Sequence, residues 1–193
     1  DTDTDTDTDT DTDTDTDADT VVDGIYGGSF EVTMDATASM DTEGTVEILS
    51  LSETCTGTVI FTVDSLADPQ ISGIGECSIP EDSAVVTLIE TSGPFGGPTT
   101  GSLLGGGAAE GGVVVDVGDT IGELSAIWTG SFTEDDGVMH FAGEYEGILE
   151  DIEVSLGVTD LFVDVEYEGE FETNYTGPLP VEDTGAVEDT GTL

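Results

Sequence analysis

The chain has 193 residues, none of them Lys or Arg, and 45 Asp and Glu give it a formal net charge of −45 with its single His neutral. Without cationic side chains it has no basic patch for nucleic-acid phosphates and no polybasic segment for an anionic membrane. It also has no Schiff-base lysine, no Walker-type phosphate loop and no Lys/Arg–carboxylate ion pair. Charge of one sign on this scale opposes compaction, so folding must draw on salt screening, bound divalent cations or an extended shape. No apolar stretch reaches the roughly 18 residues of a membrane-spanning helix. The first residue is Asp and no signal peptide follows, so a mature or trimmed form is expected.

Residues 1–20 are an Asp-Thr repeat, with Asp at every odd position from 1 to 19 and Thr at every even one except Ala18. Nothing apolar offsets the cost of ordering this backbone, so one reading is a disordered, charged spacer. The period of two opens another. In an extended strand all Thr face one way and all Asp the other. Thr2, Thr4, Thr6, Thr8, Thr10, Thr12, Thr14, Thr16 and Thr20 would then form a ladder for covalent O-glycans, about 66 Å long at about 3.3 Å per residue.

Residues 21–176 read as one antiparallel all-β domain, a β-sandwich of jelly-roll-like or meander order. Tyr26, Gly28, Phe30, Val32 and Met34 alternate with polar residues, which signals a strand. A turn at 41–44 leads to a second strand over 45–51. A first hairpin joins 55–63 to 71–79. Pairing residues whose numbers sum to 132 sets Cys55 opposite Cys77 and Phe61 opposite Ile71. A Cys55–Cys77 disulfide would close a loop worth about 3 kcal/mol; two free buried thiols are the alternative. The glycine-rich segment 92–112, with Pro94 and Pro98, reads as a loop with one weak strand near 102–104.

A second hairpin joins 126–133 to 138–147 through Glu134-Asp135-Asp136-Gly137, whose Asp-Gly step is a strong turn signal. Here the pairing sum is 273. It sets Trp128 against Tyr145, Gly130 against Gly143 and Phe132 against Phe141, with Thr129, Thr133, His140 and Glu144 on the wetter face. Over 161–175, Leu161, Val163, Val165, Tyr167, Phe171 and Tyr175 point one way, and Asp164, Glu166, Glu168, Glu170 and Glu172 the other. Residues 177–193 are a low-complexity tail in which Val-Glu-Asp-Thr-Gly occurs twice.

Candidate chemistry is sparse. Asn174-Tyr175-Thr176 is an N-glycan acceptor with Glu172 two residues upstream. Asp19-Thr20-Val21, Asp82-Ser83-Ala84 and Asp119-Thr120-Ile121 fit an O-glycosylation pattern of Asp, hydroxyl residue and apolar residue. Glu134, Asp135 and Asp136 share one turn and are the candidate calcium ligands, without EF-hand spacing. His140 is the only imidazole, no catalytic set is assigned, and an enzyme is not expected. One His and two paired cysteines disfavour zinc.

The runs Cys55-Thr-Gly-Thr-Val, Ile71-Ser-Gly-Ile-Gly-Glu-Cys77, Trp128-Thr-Gly-Ser-Phe132 and Phe141-Ala-Gly-Glu-Tyr145 resemble Gly/Thr-rich β-domains of secreted bacterial surface lipoproteins. Those domains often follow an Asp/Thr spacer behind a lipidated cysteine, which this sequence lacks. The Asp-Thr tract is also similar to the repeat backbone of glycan-coated extracellular fibrils. The resemblance implies an extracellular or cell-surface location. The leading expectation is a glycosylated structural subunit that assembles as a homo-oligomer, head to tail into a filament, with 21–26 adding a strand to a neighbour. The alternative is a surface-tethered β-domain that binds a ligand or calcium on an acidic spacer.

Overall fold

The computed structural model describes residues 21–40, 46–78, 94–116, 123–156 and 159–180. The Asp-Thr arm, with its threonines, lies outside the described residues. So do the segments 82–84, 119–121 and 181–193.

Eight antiparallel strands follow in chain order: β1 (Gly24–Ser39), β2 (Glu47–Val63), β3 (Ile71–Ser78), β4 (Pro94–Leu103), β5 (Ala108–Asp116), β6 (Glu123–Asp135), β7 (Val138–Leu156) and β8 (Thr159–Gly177). Each pairs with the next, and β8 returns to pair with β1, so the sheet closes into a barrel. The all-β antiparallel expectation holds, and the order is a meander. The finer expectation of a sandwich gives way to one sheet closed on itself, because β1 has a partner along both edges. Closure gives every strand a neighbour on both sides. β1, β2, β7 and β8 run 16 to 19 residues against 8 to 13 for the others, so one side of the wall is taller.

Alternation decides what faces inward. Along β8, Leu161, Val163, Val165, Tyr167 and Phe171 are buried, while Glu166, Glu168, Glu170 and Glu172 are exposed. The second hairpin keeps the expected register, with Trp128 opposite Tyr145 and Phe132 opposite Phe141. Its turn narrows to Asp136 and Gly137, both at positive φ (49° and 80°), the left-handed pair that a two-residue hairpin needs. The first hairpin is offset by two residues from expectation: Val63 faces Ile71 and Gly57 faces Cys77, a sum of 134. The disulfide forms all the same, diagonally, with Cα atoms 5.8 Å apart.

The largest correction concerns 92–112. Read as a loop, it holds β4, most of β5 and a short 3-10 turn, Gly105–Gly107. Its glycines are the far side of the aromatic packing. Gly111 pairs with Trp128 on β6 and with Gly101 on β4. The indole crosses both bare backbones, so a Cβ on Gly101 or Gly111 would fall 2.4 or 2.3 Å from Trp128 Cζ2. Phe171 lies in the same way over Gly143 and Gly130, Tyr145 over Gly169, and Tyr167 over Gly147. A large ring on one strand and no side chain on the next lets rings lie along the inner wall.

The core has two halves. At one end Phe141 sits among rings, stacked on Phe132 at 4.2 Å and edge-on to Phe61, Phe171 and Trp128 at 5.0 to 5.9 Å. Such pairs contribute about 0.5–1.5 kcal/mol each beyond buried area. Toward the other end the lining is small: Ala36, Ala38, Ala126, Val163 and the disulfide.

Candidate ligand-binding cavity

Eight-stranded barrels are just wide enough to be filled by side chains or to hold one small molecule. This one is packed by two clusters of side chains with a gap between them. Between the two halves of the core lies a cavity of about 110 Å³. Phe30, Phe61, Trp128 and Phe171 line it on one side, and Met34 and Cys77 on the other.

Four lining side chains can donate a hydrogen bond, and all four donate elsewhere. Trp128 Nε1 donates to Thr99 Oγ1 at 2.7 Å, buried. The Thr99 hydroxyl donates to the Gly112 carbonyl at 3.0 Å. Tyr145 reaches across Gly169 to the Glu31 carbonyl at 2.8 Å. Tyr167 reaches across Gly147 to the Ser125 carbonyl. Burial pushes the Tyr145 phenol well up, and the carboxylates of Glu31 and Glu170 push it further. Burial also raises Tyr167. Both phenols therefore stay protonated donors through neutral pH.

The wall beside the cavity has a seam. β4 and β5 pair over only five rungs, from Leu103↔Ala109 to Thr99↔Val113. Beyond Thr99 comes Pro98, which has no N–H to give. Among the described residues, 94–98 pair only with β3 and 114–116 only with β6. Gly97 and Thr99 on β4 and Val113 on β5 line the cavity from either side of this seam.

The residues singled out from sequence fall elsewhere, except the cysteines. Cys77 lines the cavity wall, and both cysteines are buried. Asn174 is exposed on the outer face of β8, between Gly27 of β1 and His140 of β7, and the Thr176 hydroxyl donates to the Ile25 carbonyl. Glu134, Asp135 and Asp136 are exposed but do not converge: Glu134 and Asp135 are successive strand residues and point to opposite sides. No group of three His, Cys, Asp or Glu with metal-binding geometry occurs among the described residues.

The cavity itself was not read from the sequence. Its signal was there, in aromatic residues whose cross-strand partners are glycines, but it needs the register of every strand. No protein-family model matches the chain, and no curated protein matches it.

Proposed function

We propose that this chain is an extracellular or cell-surface receptor domain that holds a small molecule inside its barrel, on an acidic Asp-Thr spacer. The observation that carries this reading is the 110 Å³ apolar cavity in the barrel wall and interior, lined among others by Phe30, Phe61, Trp128 and Phe171. A space of this size is a cost unless something fills it, because lining atoms lose dispersion contacts. The seam beside Pro98 gives a guest a way in without breaking the five β4–β5 rungs that are paired. The buried disulfide fits an oxidising compartment.

The filament reading has less to stand on. It asks residues 21–26 to add a strand to a neighbour, whereas Ile25 and Tyr26 of β1 already pair with β2 and β8, and Tyr26 is fully buried.

The test is a titration of the full chain with benzene, followed by NMR of the Trp128 indole and the Met34 methyl. The reading expects saturable one-to-one shifts at both groups. Spectra unchanged up to the solubility limit of benzene would sink it.

A further inference from the structure

We infer that the guest of this cavity is an uncharged hydrocarbon of about one ring that carries no hydrogen-bond acceptor. The inference rests on the receptor reading above and adds the chemical class.

Size comes first. A cavity of about 150 Å³ in another protein, lined by aliphatic and aromatic side chains, stays dry and takes benzene. At about 110 Å³ the present cavity takes one six-membered ring or a short branched chain. Polarity narrows the class further. The hydrogens of Thr99, Trp128, Tyr145 and Tyr167 are engaged by Gly112, Thr99, Glu31 and Ser125. The rest of the lining is aliphatic, aromatic, glycine and disulfide. Backbone N–H groups of the paired strands lie in the plane of the wall and are taken by neighbouring strands. A carbonyl, ether or ring nitrogen brought inside would lose its water and find no free side-chain donor, which weakens it about tenfold or more. Charge removes anions altogether, since the surroundings carry −45 and no cation.

Organic cations need a separate argument, because rings can hold them through their faces. Here a ring face in each of the T-shaped pairs Phe61–Phe141 and Trp128–Phe171 is taken by its neighbour's edge, and the cavity is too small for a cation and its remaining water. A hydrocarbon meets none of these penalties.

The experiment compares benzene, pyridine and tetramethylammonium on the full chain by NMR titration, in wild type and in Thr99→Val. Pyridine has the shape of benzene with one acceptor added. The expected result in wild type is benzene binding with pyridine at least about tenfold weaker and tetramethylammonium not bound in the interior. Thr99→Val leaves the Trp128 N–H without an acceptor, so the pyridine-to-benzene affinity ratio should rise about tenfold. Pyridine binding as well as benzene in wild type would mean that a donor, from the seam backbone or a released tyrosine, reaches the guest. That result overturns the inference and leaves the receptor reading standing. Tetramethylammonium binding more tightly than benzene overturns it too, as does a ratio unmoved in a folded Thr99→Val chain. If that variant does not fold, the wild-type comparison decides alone. Failure of benzene itself to bind would instead remove the receptor reading on which the inference rests.

Discussion

Trp128 lies flat across Gly111, its cross-strand neighbour, so closely that a Cβ on that glycine would stand 2.3 Å from the indole Cζ2. The next residue, Gly112, is different: a Cβ there meets nothing nearer than the Ala126 carbonyl at 3.4 Å. The two glycines should therefore respond oppositely to alanine. Gly111→Ala is expected to destabilise the chain by about 1–3 kcal/mol through overpacking. Gly112→Ala should be neutral or gain up to about 1 kcal/mol by restricting the unfolded chain. Urea denaturation of the pair gives the comparison; equal effects would mean the ring does not rest on Gly111.

The cavity can be filled from within. Ala126 faces it from β6, opposite Val113 at the seam. Ala126→Leu places three more carbons in the empty space. It should leave stability unchanged or raise it by about 0.5–2 kcal/mol, while weakening benzene more than about tenfold. Retained binding in a stable variant would locate the guest outside the barrel.

Three tyrosines, Tyr26 and Tyr167 buried and Tyr145 partly buried, set the alkaline limit. Burial, chiefly, pushes Tyr26 up to about 12, with Tyr175 and Asp23 adding to it and its bond to the Val22 carbonyl opposing. Tyr145 and Tyr167 are raised for the same first reason. A raised folded value means that the folded chain holds these protons more tightly than the unfolded one. The stabilisation is complete below about pH 10, the ordinary tyrosine value. It is lost as pH climbs toward 12 and the native phenols ionise. Urea midpoints should fall above pH 10, in step with the ultraviolet absorbance of tyrosinate. A tyrosine population that ionises with an ordinary midpoint while the barrel stays folded would contradict the buried placement.

Salt should matter more than in most domains of this size. On the outer wall Glu31 faces Glu170, Glu170 faces Glu144, Glu168 faces Glu146 and Asp35 faces Glu166. Like charges directly opposite destabilise a sheet by about 0.2–1 kcal/mol each, with no Lys or Arg anywhere to relieve them. Raising sodium chloride from about 0.01 M to about 1 M shortens the screening length from about 30 Å to about 3 Å. Relief of about 1–3 kcal/mol corresponds to a Tm increase of about 3–10 °C. Calorimetry across that series checks it, and a flat Tm would show that these carboxylates do not repel in the native wall.

Much of this architecture was legible in the sequence, for reasons that can be named. The alternation over 161–175, broken only by Phe162, follows because β8 buries one face, and the second hairpin fixes its register through Asp136-Gly137. Two features were not legible. The shift of the first hairpin by two residues preserves inward and outward faces, so no hydrophobic pattern could distinguish it; the disulfide tolerates either register. β4 and β5 looked like loop because Gly and Pro are ordinarily turn residues. Here Gly101 and Gly111 make room for Trp128, a partner 27 and 17 residues away. The cavity was hidden for the same cause: it exists only where the closed wall brings residues of all eight strands around a common axis.

The most direct test of the account is a crystal structure of the full chain under xenon pressure. The account predicts one strong xenon peak inside the barrel, within contact distance of Phe61, Trp128 and Phe171. Absence of density there, or xenon seated only on the exposed outer pair Ile60 and Ile74, would contradict it.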